Sequence, residues 1–230
     1  MSYKYVFIDM DDTIWDFHAN AKSSLQELYD NRNFDKHFDN FEQYFEIYAK
    51  RNLELWDQYG KGEITKEALS LERFLHPLRQ VGVANEEVAI IMGKEYLDLL
   101  PTRTALVPYA LELLDYLSDK YPLSIVSNGF IEVQYRKLKT CRLEHYFSHV
   151  VLSEEAGFLK PDKRIFEYAM KLNGSMPAET IMIGDSYEAD IIGAQNAGID
   201  QIYFRYSNTS TQNLPCSFST DSLREIIGIL

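Results

Sequence analysis

The chain is poor in cysteine: 230 residues carry two, Cys141 and Cys216, far apart and without a metal-type spacing. No disulfide framework follows from such a pair, which fits a reducing compartment. Also missing are an N-terminal apolar stretch of signal length behind a basic flank and any apolar run long enough to span a bilayer. The expectation is a soluble cytoplasmic protein. Cations are scarce, with 23 Lys and Arg against 35 Asp and Glu, for a formal net charge of −12. That balance disfavours nucleic-acid backbones and anionic membranes as partners, and a small anionic substrate would need locally placed cations. No Gly-x-Gly-x-x-Gly follows an apolar run, and no phosphate loop closes in Gly-Lys-Ser/Thr. Dinucleotide oxidoreductases and ATPases of those kinds lose support. Asn173-Gly174-Ser175 and Asn208-Thr209-Ser210 match a glycosylation pattern, but with no secretory signal both read as ordinary loops.

What is present is a hydrophobic fraction of 46%, enough for a core without staples. Short β-rich runs recur at Tyr5 to Ile8, Leu123 to Val126, Val150 to Leu152, Ile181 to Ile183 and Gln201 to Phe204. Continuous rather than alternating hydrophobicity predicts strands buried on both faces of a parallel sheet. Helical patterns alternate with the later runs, at Pro108 to Asp119, Phe130 to Lys139, Pro161 to Leu172 and Tyr187 to Asn196. The result is an α/β, doubly wound fold. From Phe17 to about Leu100 no good strand occurs, only amphipathic segments rich in Leu, Tyr and Phe, too long for an ordinary connection. This predicts an all-helical cap over 17–101, inserted in a core made of 1–16 and 102–230. Pro101 and Pro108 bracket the return.

Ligands of open parallel sheets bind outside the carboxyl ends of the strands. The residues that follow the predicted strands are Asp9 and Asp11, Ser127-Asn128-Gly129, Lys160-Pro161 after a short loop, and Gly184-Asp185-Ser186. Asp9 and Asp11, two apart, point to one side of an extended backbone. With a divalent cation neutralising it, Asp9 can stay ionised and attack phosphorus. Asp11, crowded by negative neighbours, has reason to hold a proton for a leaving alkoxide. Asp12 with Thr13 reads as turn and cap residues. Asp185 joins Asp9 as an oxygen ligand for Mg²⁺, while Asp190 lies behind, orienting Asp185 or a bound water. Gly184 fits a tight turn or close approach to the metal. Ser127 and Asn128 offer a hydroxyl and helix-opening amides for phosphate, and Lys160 emerges where Pro161 begins a helix. His145 and His149, four apart, lack the glutamate of a hydrolytic zinc motif and run into a strand. The loop Tyr59 to Ile64, including Lys61 and with Gly60 and Gly62 permitting unusual backbone angles, is the candidate to touch the leaving group. Tyr44, Phe45, Tyr48 and Trp56 sit at helical spacings and read as core.

The stretches "DMDDT", "SNG", "KP" and "GDSYEAD", in this order, resemble the four motifs of the haloacid dehalogenase-like hydrolase superfamily, with a helical cap between the first two. The resemblance implies a Rossmann-like three-layer core, Mg²⁺ and an aspartyl-phosphate intermediate. It assigns Asp9 as nucleophile, Asp11 as acid/base and, through its main-chain carbonyl, a metal ligand, Ser127 and Lys160 as phosphate ligands, and Asp185 as a metal ligand. The name-giving dehalogenases lack the second acid, so Asp11 argues for phosphoryl transfer. A finer likeness lies in "LWDQYGKGEIT", "SNGF" and "VVLSEEAGFLKPDKRIF", which resemble the pyrimidine 5′-nucleotidase subgroup; Ser127 stands where that subgroup's Thr is expected and keeps the hydroxyl. The implied substrate is a small phosphomonoester such as uridine or thymidine monophosphate, including noncanonical ones. The competing readings are a sugar-phosphate or other small-metabolite phosphatase and, from another class, a non-catalytic binding protein. Oligomeric state is not legible.

Overall fold

Apolar runs of four to six residues become the strands of a sheet whose centre admits no water. In the computed structural model, which describes residues 3–206 and 214–230, β1 (Tyr5–Ile8) is the first of them. Four helices follow: α1 (Phe17–Asn31), α2 (Phe41–Gly60), α3 (Lys66–Gln80) and α4 (Glu86–Leu99). Alternation then begins with α5 (Ala110–Ser118), β2 (Leu123–Ser127), α6 (Ile131–Cys141), β3 (Phe147–Leu152), the short α7 (Ser153–Ala156), α8 (Lys163–Asn173) and β4 (Thr180–Gly184). A π-helical segment, Tyr187–Ile192, leads into α9 (Gly193–Asn196), β5 (Asp200–Phe204), β6 (Phe218–Thr220) and α10 (Leu223–Ile226). The Asn208-Thr209-Ser210 pattern lies outside the described residues, and Asn173-Gly174-Ser175 is a helix end rather than a plain loop, with Gly174 at φ 63°.

Among the described residues, six strands run parallel in the order β3-β2-β1-β4-β5-β6. The chain winds outward from β1 in one direction and then in the other, so a crevice opens beside the carboxyl end of β1, where ligands of such sheets bind. Register aligns Ile8 with Ile125 on β2 and with Ile183 on β4, which brings Asp9, Ser127 and Asp185 to the same end of the three central strands. One face of the sheet presents Phe7, Val126, Val151 and Met182 to Ile165, Phe166 and Ala169 of α8 and to Ala194 of α9, all fully buried. Removing a ring such as Phe166 from a core of this kind costs about 3–5 kcal/mol.

The expected parallel sheet is present, with differences at its margins. β6 was not among the predicted strands: it spans three residues of which Phe218 and Ser219 are exposed, so it lacks the buried run that marks the others. Pro161 does not begin a helix. Asp162 caps α8 through its carboxylate, which accepts from the Arg164 N–H at 2.9 Å, and the Lys160–Pro161 peptide is cis.

The chain forms two compact units, Met1–Phe17 with Thr104–Leu230 and His18–Arg103. The second is helical throughout. Asn40, Thr65 and Asn85 cap its helices, each side chain accepting from a main-chain N–H one turn on. Its interior is aromatic, with Tyr29, Phe34, Phe38, Tyr44, Tyr48, Phe74 and Tyr96 buried and packed ring against ring at tilted or edge-on angles. Trp56, on α2, is half-buried.

Candidate active site

The backbone N–H of Asp9 donates to the carbonyl of Ile183 at 2.9 Å, so the sheet ladder continues one residue beyond β1 and fixes the chain that carries this carboxylate. Asp185 follows β4 next door. One carboxylate oxygen each from Asp9, Asp185 and Asp190 lie within 4.8 Å of one another. Lys160, 3% exposed, reaches into this cluster. Its ammonium donates to Asp9 Oδ1 at 2.5 Å, to Asp190 Oδ1 at 2.6 Å and to the Val126 carbonyl at 2.7 Å, spending all three protons.

Three carboxylates face one cation. Burial pushes Asp9 up to about 7, opposed by Lys160 and reinforced by the charges of Asp190 and Asp11. Burial likewise holds Asp185 well above the carboxylate range, with Asp9 and Asp190 adding to it. For Lys160, burial works against the charge, but Asp190 and Asp9 outweigh it and raise its pKa. An all-oxygen donor set with surplus negative charge fits a hard divalent cation. Asp190 is committed elsewhere: Oδ1 accepts from Lys160 and Oδ2 from the Ser186 N–H at 3.0 Å. Asp9 and Asp185 are therefore the carboxylates that could bind such an ion, with Asp190 behind them. Gly184 is explained by the same crowding, because a Cβ there would overlap the Asp190 carboxylate.

Thr13, read from sequence as a turn residue, is fully buried and donates from Oγ1 to Asp185 Oδ1 at 3.1 Å. It holds a carboxylate in the cluster. Asp12 is a turn residue, with φ at 58°. Asn128 uses its side-chain amide as a clamp: Nδ2 donates to the Lys160 carbonyl at 2.9 Å and Oδ1 accepts from the Lys160 N–H at 2.8 Å. Contact with an anion from Asn128 would thus fall to its backbone. Ser127 Oγ accepts from Gln134 Nε2 at 2.9 Å and from the Gly129 N–H at 3.1 Å. A hydroxyl has two lone pairs and one proton, so its donor remains for an anion.

Asp11 stands apart from the cluster and does not meet only negative neighbours. Lys137 Nζ lies 2.5 Å from Oδ1, and Gln134 Nε2 lies 2.8 Å from Oδ2. Sequence reading missed both residues. Their signal was a lysine and a glutamine occupying the buried stripe of α6 beside Val133 and Leu138. Of the helical unit's candidates, Tyr59 stacks edge-on against Trp56 at 5.7 Å and Lys61 pairs with Asp57 at 2.6 Å. Of the two glycines that permit unusual backbone angles, Gly62 uses that freedom, with φ at 72°, while Gly60 is the last residue of α2. His149 meets the Asn173 side chain at 3.2 Å.

A family model for hydrolases of the haloacid dehalogenase-like kind matches residues 3–198. The chain belongs to the haloacid dehalogenase-like hydrolases. Within that family, this hydrolase is 31% identical over 225 residues to the HAD-hydrolase YfnB of Bacillus subtilis, covering 97% of this chain and 92% of the relative. The crystal structure of YfnB bound to magnesium superposes with a TM-score of 0.89 at 27% identity, covering 100% of this chain and 99% of that one. It is also 26% identical to the pyrimidine 5′-nucleotidase YjjG of Escherichia coli, covering 100% and 99% of the two chains. The pyrimidine 5′-nucleotidase PynA of Streptococcus pneumoniae is 31% identical, with coverage of 100% and 96%. Among the described residues of this hydrolase, no helix is long and apolar enough to cross a membrane.

Proposed function

We propose that this hydrolase is a Mg²⁺-dependent phosphomonoesterase that works through an aspartyl-phosphate on Asp9, with pyrimidine nucleoside 5′-monophosphates as its substrate class. The observation that carries the reading is the surplus of carboxylate charge around Lys160, where one oxygen each of Asp9, Asp185 and Asp190 come within 4.8 Å of one another beyond the carboxyl ends of β1 and β4. Held by Asp9, Asp185 and the main-chain carbonyl of Asp11, Mg²⁺ would supply positive charge that keeps the carboxylates ionised and offsets the phosphoryl oxygens.

Asp9 forms a bond to phosphorus as the ester oxygen departs, and Asp11 gives that oxygen its proton. Water then attacks the aspartyl-phosphate, Asp11 takes the water's proton, and inorganic phosphate leaves with Asp9 restored. The Ser127 hydroxyl donates to a phosphoryl oxygen, joined by the Asn128 backbone. Lys160 reaches the phosphate by exchanging one of its three protein acceptors for it. Enzymes accelerate monoester hydrolysis by up to ~10²¹-fold, and a general acid/base supplies about 10²–10⁴ of that. Positioning and charge must supply the rest.

The full-length likeness to YjjG and PynA supports the substrate class. We assign 17–101 as a cap that selects the leaving group, with Tyr59 and Lys61 at the α2–α3 turn meeting the nucleoside, and 1–16 with 102–230 as the catalytic core. Phosphate release measured across nucleoside monophosphates and sugar phosphates, with and without Mg²⁺, tests the proposal. Expected are highest rates on uridine and thymidine monophosphates, loss on chelation, and an Asp9→Asn protein slower by on the order of 10⁴-fold. Undiminished turnover in that variant overturns the chemistry, and preference for a sugar phosphate overturns the substrate class.

A further inference from the structure

The proposed chemistry uses Asp11 but does not explain what surrounds it. Lys137 is 2% exposed, and its ammonium lies 4.1 Å from the Trp15 ring centroid and 5.7 Å from that of Phe17. Burying an ammonium is costly, and an apolar residue of similar size often serves packing as well or better. A purely structural reason would be to tie the β1–α1 loop to α6. That loop is already tied by its own backbone: Ile14 and Trp15 N–H groups donate to the Met10 carbonyl at 3.0 and 2.9 Å, Asp12 N–H to Trp15 at 2.7 Å, and Val107 N–H to Ile14 at 2.9 Å. What Lys137 adds is a restraint on one side chain.

Gln134 completes it. Fully buried, it spends both Nε2 protons, one on Asp11 Oδ2 and one on Ser127 Oγ, while its own Oε1 has no hydrogen-bond partner among the described residues. Leaving a buried acceptor without a partner is costly, so the amide is oriented by what it serves rather than by its own satisfaction. Gly129 makes room for it, since a Cβ there would overlap the amide. Each oxygen of Asp11 thus receives one donor from α6, which fixes both the direction and the plane of the carboxylate.

We propose that Gln134 and Lys137 are positioning residues that clamp Asp11 for proton transfer, and that Gln134 couples this clamp to the Ser127 phosphate contact. The inference rests on the reading of Asp11 as the acid/base. Of the groups in the proposed reaction, Lys137 pairs with Asp11, so Lys137→Met lowers kcat by roughly 10–100-fold, inside the range a whole acid/base group supplies, with KM within about twofold, and Lys137→Arg recovers part of the loss. Gln134→Met, which also frees Ser127, lowers kcat and raises KM.

The decisive measurement is a double-mutant cycle on phosphate release, with thermal melts to establish folding. In an Asp11→Asn background, Lys137→Met should cost under about twofold, because the group it positions no longer transfers protons. Equal fold-losses in both backgrounds, or unchanged kcat in Lys137→Met, overturn the clamp. Wild-type protein inert on every phosphomonoester would sink the functional reading instead. A crystal structure of Lys137→Met reads the clamp without activity: a reoriented Asp11 carboxylate supports it, and one left in the wild-type orientation overturns it.

Discussion

Thr13 and Asp185 lie 172 residues apart in the chain and share a hydrogen bond of 3.1 Å. No local pattern pairs them, which is why Thr13 reads from sequence as a turn residue while Asp9, directly after an apolar run, is conspicuous. Groups that orient metal-binding carboxylates commonly account for 10–100-fold in affinity. Thr13→Val keeps the shape and removes the donor, so calorimetric titration should give Mg²⁺ binding weaker by roughly 10–100-fold. Single side chains also set an alkaline limit. Burial and a hydrogen bond to Asp200 push Tyr3 up to about 12, a hydrogen bond to Asp115 and burial do the same for Tyr146, and burial with a bond to Asp16 does so for Tyr206. Their folded pKa values exceed the ordinary 10, so their contribution to stability is present below 10 and is lost as pH rises through 10 to 12. A tyrosinate absorbance titration at pH 11 should leave these three protonated in the native chain but ionised in urea.

At the scale of elements, the chemistry depends on how strands end and helices begin. The segment after β4 carries reciprocal caps: Ser186 Oγ accepts from the Ala189 N–H at 3.2 Å, and Asp190 Oδ2 accepts from the Ser186 N–H at 3.0 Å. The π-helical geometry follows in part from the Ile191 N–H reaching back five residues to the Ser186 carbonyl at 3.3 Å. A helix is legible there from sequence, but its wider winding is not, and the segment carries Asp190 to a contact with Lys160, 30 residues away in the chain. The sequence predicts a helix from Pro161, whereas α8 starts at Lys163 with Asp162 as its cap. Proline suits a first helical turn by its fixed φ, yet Asp162 has the side-chain acceptor that caps the N–H groups. Asp162→Ala should cost about 1 kcal/mol in a chemical denaturation curve, with an unchanged slope.

For the whole molecule, folding gathers carboxylates that repel in the native state and are dispersed in the unfolded chain. A cation that binds only the native cluster stabilises by mass action, about 2.7 kcal/mol at a hundred times its dissociation constant. Mg²⁺ should therefore raise the melting temperature, a chelator should reverse this, and Asp185→Asn should blunt it, as followed by calorimetry. Apolar runs and the helices between them were enough to define the parallel sheet, and with it the strand ends that carry Asp9, Ser127 and Asp185, because burial on both faces leaves a one-dimensional trace in composition. The two-residue spacing reads Asp9 and Asp11 as a pair facing one side of an extended backbone, and says nothing of what each one meets. The partners of Asp11 were decided only in three dimensions. Gln134 and Lys137 are 123 and 126 residues away, on a helix whose rotation about its axis is set by packing on the sheet, and hydrogen bonds made across such distances have no period along the chain.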